Sequence, residues 1–289
     1  MKSKKTKIWL AAFLAPTLIL FLGFYAYSIL TVGITGFTDW KLGEPIRFAG
    51  ADNFIKMFQD STFHISLKNT MVWMVLHWVI LVGTSLLVAL ATLKKSRLSK
   101  AVRVIYLIPK MMPLAVIGFL FYFMFNPSIG LVNDFIRKIG FEDFNVNWFQ
   151  DARTAFLAVT VTTIFYGGVF MLLISSEIAA IPTEVYESAK VDGATESQIN
   201  RLIVMPLIKN IVGTCLILAT VDCLKTFEVI YLTTNGGPGD LTMNLPVMIF
   251  RTAMNNSNYG YANAIAFVTI LIGAAAMLLI TKVFRIGKD

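Results

Sequence analysis

Four stretches of this chain contain no Asp, Glu, Lys or Arg: residues 8–38, 69–93, 154–176 and 252–281. Uncharged runs of such length suit a bilayer, because a helix needs about 20 mostly apolar residues to cross its hydrocarbon core. Two more stretches carry isolated charges. Residues 104–125 include Lys110, and residues 202–232 include Lys209, Asp222, Lys225 and Glu228. Six spans are therefore expected, near 8–30, 70–93, 101–125, 154–180, 202–232 and 261–284. Composition agrees, with 56% hydrophobic and 15% charged residues and a mean hydropathy of +0.70; soluble domains are about a quarter charged. The fold class expected is an all-α integral membrane protein with six transmembrane helices.

The net charge of +8 is a topology signal rather than a nucleic-acid footprint. If the N-terminus is inside, the inner segments 1–7, 94–103 and 282–289 hold 12 basic residues among 25. The outer loops 39–68, 134–153 and 233–260 hold 8 among 78. That asymmetry obeys the positive-inside rule and puts both termini in the cytoplasm. The first apolar run is longer than a signal peptide's core, so it reads as an uncleaved span. Cys215 and Cys223, eight residues apart on one helix, are about 12 Å apart and too distant for a disulfide. His64 and His77 have no Cys or His companion at ligand spacing, so no metal is expected.

The outer loop after span 1 contains "GADNFIKMFQDSTFHISLKNT". Ile55, Phe58 and, more loosely, Phe63 fall near one helical face, which suggests a short helix on the outer surface. Span 3 contains "LIPKMMP", and prolines four residues apart predict a kinked, internal helix whose freed backbone groups neighbours must satisfy. The chain divides into residues 1–68 (N-terminus, span 1 and outer loop), 69–285 (the main transmembrane domain) and a tail, 286–289.

Between spans 4 and 5 lies "EVYESAKVDGATESQINRLIVMPL", from Glu184 to Leu207. Thr183 is the expected N-cap, with Glu184 at the positive helix end. A helix from there places Val185, Ala189 and Asp192 near one face with Glu187 close by, and Gly193 frees the backbone to turn. Thr195 opens a second helix into span 5. Ala189 and Gly193 are read as small so that a partner can approach closely.

This segment resembles the EAA loop of binding-protein-dependent ABC importer permeases, in the maltose-type sugar-uptake branch. The pattern appears as Glu187, Ser188, Ala189, then Asp192, Gly193, Ala194, then Ile203 and Pro206, with Ser188 and Met205 departing from the family's Ala and Leu. "GADNF", "SLKNT", "IPKMMP", "IGLVNDFIRKIGF" and "FEVIYLTTNGGP" occur in the order of the first of the two permease subunits. The resemblance implies a type I importer permease with a cytoplasmic coupling helix in loop 182–206, docking through those eight residues into an ATPase subunit. It also implies a bacterial cell membrane, a second homologous permease forming a heterodimer, a dimer of ATP-binding subunits, an extracytoplasmic solute-binding protein and a sugar substrate. The chain has no Gly-x-x-x-x-Gly-Lys-Ser/Thr phosphate cradle, so it is no enzyme, and ATP and Mg are expected on the partner.

Counting outward from Asp192, Gly167 and Thr220 lie at similar depths in the two flanking spans. Phe165, Tyr166, Gly167 and Gly168 on one, and Thr220, Asp222, Cys223, Lys225 and Thr226 on the other, are candidates for the substrate path. Two readings stand side by side for them. Gly167–Gly168 suits helix packing as well as a cavity, and Asp222 with Lys225 suits a structural i, i+3 pair as well as a polar lining. Alternative functions are an importer for glycerol phosphate or a polyol, or an ion-coupled transporter.

Overall fold

The computed structural model describes residues 4–93 and 96–287. The side chains of Lys2, Lys4, Lys5, Lys7, Lys94, Lys95 and Lys288, all part of the inner-side charge count, lie outside that description. Among the described residues three helices are long and apolar enough to cross a membrane: Trp9–Thr35 (span 1), Ser61–Ala91 (span 2) and Tyr259–Phe284 (span 6). Three bent pairs complete the six. They are Arg97–Met111 with Leu114–Met124 (span 3, bent 101°), Ala155–Thr163 with Gly168–Ala179 (span 4, 42°), and Glu196–Leu207 with Lys209–Thr233 (span 5, 66°).

The chain forms two compact units, Met1–Ser61 with Met248–Leu271, and Thr62–Val247 with Ile272–Asp289. Span 2 begins at Ser61 rather than near residue 70, so both the division expected after residue 68 and the limit of the first unit fall within it. The first unit also takes in the start of span 6.

In the first unit, Gly36 lets span 1 lie close to span 6, since a Cβ there would sit 3.2 Å from Ala264 Cα. Asn53 Nδ2 donates to the carbonyls of Gly36 and Thr38, both at 2.9 Å, tying the outer loop to the end of span 1. A two-residue strand, Thr38–Asp39, pairs antiparallel with Arg47–Phe48. The short outer helix exists, as Asp52–Gln59, and the face shared by Ile55 and Phe58 is its free one. Met57 is buried and Phe54 half-buried, whereas Ile55 and Phe58 are exposed; Phe63 belongs to span 2. Ile55 and Phe58 are apolar residues on the free face, which periodicity alone cannot tell from the packed one.

Span 2 is the pillar of the second unit. Phe63, Met74, Leu81 and Ala89 along it are fully or almost fully buried. Trp73 stacks on Phe156 of span 4 at 4.7 Å and donates to the Thr160 hydroxyl at 2.9 Å. Asn69 donates to the carbonyls of Leu241 and Met243, fastening the outer turn after span 5.

Span 3 is kinked, as its prolines require, but not internal. Val104, Ile105, Met111 and Phe123 are exposed. One face packs on spans 2, 4 and 5, and the other is left free by this chain.

Candidate functional site

Two groups of residues stand out, one in the loop between spans 4 and 5, the other where the broken spans meet. The loop helix is Thr183–Val191, with Pro182 rather than Thr183 in the N-cap position and no side-chain cap. Pro182 holds an extended backbone at ψ 140°, and Thr183 is already helical. The helix ends through two bonds, Ala194 N–H to the Ala189 carbonyl and Gly193 N–H to the Lys190 carbonyl, each 3.0 Å. Gly193 sits at φ +78°. This pairing closes a helix through one left-handed residue, where a side chain is strained. One residue later Thr195 caps the next helix reciprocally with Gln198.

The loop helix has two unlike faces. Val185, Tyr186 and Ala189 turn inward, and Ala189 joins a buried cluster with Ile199, Val204, Ile208 and the membrane core residues Met171 and Ile174. Burial pushes the Tyr186 phenol above its usual pKa range. Glu184, Glu187, Ser188, Val191 and Asp192 face outward, Val191 being 87% exposed. Ala189 thus packs into this chain's own core. Within this chain Gly193 has open space around it, and its left-handed turn is by itself a reason for glycine. Ala194 and Ile203 are half-buried, and Pro206 is exposed beside the 66° bend of span 5. An open cavity of about 610 Å³ separates the end of span 2 from this loop, with Tyr186, Lys190 and Glu196 in its wall.

The second group begins at Met112. In an unbroken helix its carbonyl would accept from the Val116 amide, which here donates to Pro113 instead. The Tyr166 hydroxyl, from the break in span 4, donates to the Met112 carbonyl. The Lys110 ammonium lies 4.4 Å from the Tyr166 ring centroid and donates to Asp222 Oδ2 of span 5 at 2.9 Å. The Lys110 and Asp222 side chains are 22% and 41% exposed, so the pair borders open space. Three broken spans are thus joined by an aromatic ring, a cation and an anion.

The pairing of Asp222 with Lys225 is not found. Lys225 ends the helix Lys209–Lys225 and is exposed beside its negative end. Asp222 turns to Lys110, 112 residues away. A sequence signal for that pair existed: each is an ionisable residue within an apolar span, and such residues generally find one another.

The remaining predicted path residues separate by burial. Phe165 is exposed, and Tyr166, half-buried, lies alongside the ion pair. Gly167 and Gly168 are buried packing contacts: a Cβ on the first would overlap the Ser85 and Tyr106 hydroxyls, and one on the second would meet Leu107 Cα at 2.9 Å. Thr220 is fully buried and accepts from Trp78 Nε1 at 2.9 Å. Cys223 and Thr226 are buried around an internal cavity of about 10 Å³, room for about one water and no solute. The Thr226 carbonyl, in the short interruption between the helices Lys209–Lys225 and Glu228–Thr233 of span 5, accepts from Asn244 Nδ2 at 2.6 Å. These five residues therefore line no open path in this structure, because neighbouring spans already fill the space beside them.

A six-span core with broken helices and a two-faced helix in the loop before span 5 defines a transporter membrane subunit. Residues 81–285 match the family described as "Binding-protein-dependent transport system inner membrane component", and the chain belongs to that family. It is similar to the "Probable ABC transporter permease protein YurN" of Bacillus subtilis, at 31% identity over 96% of each chain. It is also similar to the "Sulfoquinovosyl glycerol transport system permease protein SmoG" of Agrobacterium fabrum, at 32% identity over 94% of this chain and 89% of the relative. Among solved structures, a chain of "a bacterial ABC transporter involved in the import of the acidic polysaccharide alginate" matches with TM-score 0.83 and 25% identity over 98% of both chains. The chain is thus a membrane permease component of an ABC importer.

Proposed function

We propose that the chain is one of two homologous permease subunits of an importer for a sugar or oligosaccharide. Its partners are an extracytoplasmic binding protein and a pair of ATPase subunits that bind ATP and Mg. Two of its relatives, named for sulfoquinovosyl glycerol and for alginate, support a carbohydrate substrate. The basic asymmetry of the loops supports cytoplasmic termini and a cytoplasmic loop helix.

The two-faced loop helix carries this reading. Its inner face is continuous with the membrane core, so movement of the helix moves the spans. Its outer face offers Glu187, Ser188 and Asp192 as acceptors to a docking ATPase cleft. Phe165, Tyr166, Lys110 and Asp222 form this subunit's share of the solute path, an aromatic face beside paired charges, as broken transporter helices often provide. Access alternates as the ATPase pair closes and opens.

The test is retention of the ATPase in the purified transporter. Glu187→Lys with Asp192→Lys is expected to reduce co-purified ATPase at least tenfold, about 1.4 kcal/mol or more of lost docking energy, and to abolish sugar uptake into proteoliposomes. Retention within twofold of wild type, with uptake intact, would remove the loop from the coupling role.

A further inference from the structure

Spans 2, 3 and 4 end together beside the loop helix, around an open pocket of about 590 Å³. Lys100 and Arg103 line it with the hydroxyls of Thr92, Ser96, Ser99 and Ser175, and no carboxylate is among its lining residues. Ile178, buried, and Ile181, half-buried, give it an apolar wall. A basic, hydroxyl-rich rim over an apolar wall is an amphipathic site.

Arg103 is the anchor. It is half-buried, and it donates from Nε to the Thr92 hydroxyl at 2.8 Å and from Nη2 to the Thr92 carbonyl at 2.7 Å. Those acceptors are neutral and occupy two of the five guanidinium donors, leaving the charge uncompensated. Lys100 is exposed at the rim. Among the described residues neither cation has an ion-pair partner. Ser96 caps the helix Arg97–Met111, so the positive end of a 15-residue helix adds to the same field. Two cations without an anion, at the level where apolar spans end, attract phosphate more strongly than a neutral solute.

We propose that this pocket holds a phosphate group, carried by an anionic phospholipid headgroup or by a free phosphate ion. The apolar wall and the position at the span ends favour the headgroup. Its occupant would brace the loop helix, since Thr183 and Tyr186 also line the pocket.

The full chain is placed in nanodiscs of phosphatidylcholine with phosphatidylglycerol, and retained lipid is counted by native mass spectrometry. Lys100→Glu is the main variant, because Arg103 also holds Thr92 and its loss could unfold the site. Lys138→Gln, on a distant exposed helix, is the control. Wild type and control are expected to retain phosphatidylglycerol over phosphatidylcholine, and Lys100→Glu to retain about tenfold less, as for one lost charge-assisted contact. In a second arm, inorganic phosphate is titrated against the chain in pure phosphatidylcholine discs while thermal stability is read. Stabilisation of wild type but not of Lys100→Glu would assign the site to free phosphate. Equal lipid retention by wild type and variant, together with no phosphate-dependent stabilisation, would overturn the proposal.

Discussion

The loop helix and the charged cluster of the broken spans are built from bonds of opposite reach. The loop helix closes on itself: Ala194 bonds to Ala189, Gly193 to Lys190, and Gln198 to Thr195. The cluster joins residues far apart in the chain, Lys110 with Asp222 and Tyr166 with Met112. The first keeps its shape whichever spans move. The second exists only while spans 3, 4 and 5 stay together, so a change of state that separates those spans must break it.

The sharpest test of that contrast is chemical access. With Cys215 and Cys223 replaced, Tyr166→Cys is expected to react with a small membrane-impermeant thiol reagent, and substrate should slow the reaction. Thr220→Cys, enclosed by Trp78, should remain silent. Equal reactivity at both positions would mean that the path runs through the packed side of span 5 instead.

Next in size is the ion pair. Lys110→Met leaves the Asp222 carboxylate without its partner among apolar spans. The expected loss is about 2 kcal/mol, below the fully buried range because the carboxylate is partly exposed. Adding Asp222→Leu should restore most of it, so that thermal or denaturant unfolding of the four proteins gives a coupling above about 1 kcal/mol. Additive losses would show that the two charges act separately.

The smallest effect belongs to the self-contained region. Gly193→Ala should cost about 1 kcal/mol through left-handed strain, and Gly193→Asn less, because Asn tolerates that backbone. Both losses should be the same whether or not an ATPase is bound. If the Ala penalty appeared only in the complex, the space around Gly193 and not its φ would be the reason for glycine.

The same difference in reach decides what could be read from the sequence. The six spans follow from runs of uncharged residues, and the span 3 kink from Pro109 and Pro113; both signals are local. So are the turn at Gly193 and the helix opening at Thr195. Which face of a helix is packed depends on its neighbours, so the shared face of Ile55 and Phe58 could not show that Met57 is the buried residue, nor could the size of Ala189 show that it joins this chain's own core. The partner of Asp222 was sought three residues away, at Lys225, because one sequence window cannot show that span 3 lies closer. Thr220 and Cys223 were placed on the path by counting along the chain, and counting cannot show that Trp78 and Thr70 occupy the space beside them.

The bend in span 3 also bears on how the chain is made. Its halves, Arg97–Met111 and Leu114–Met124, contain 15 and 11 residues, each shorter than the roughly 20 that cross a bilayer alone. Only together do they form one insertable segment. Met112 is synthesised before Tyr166, so the carbonyl at the bend has to wait for a later span to supply its donor. Span 3 therefore enters the membrane as a single transit unit, and its final angle belongs to assembly rather than to insertion.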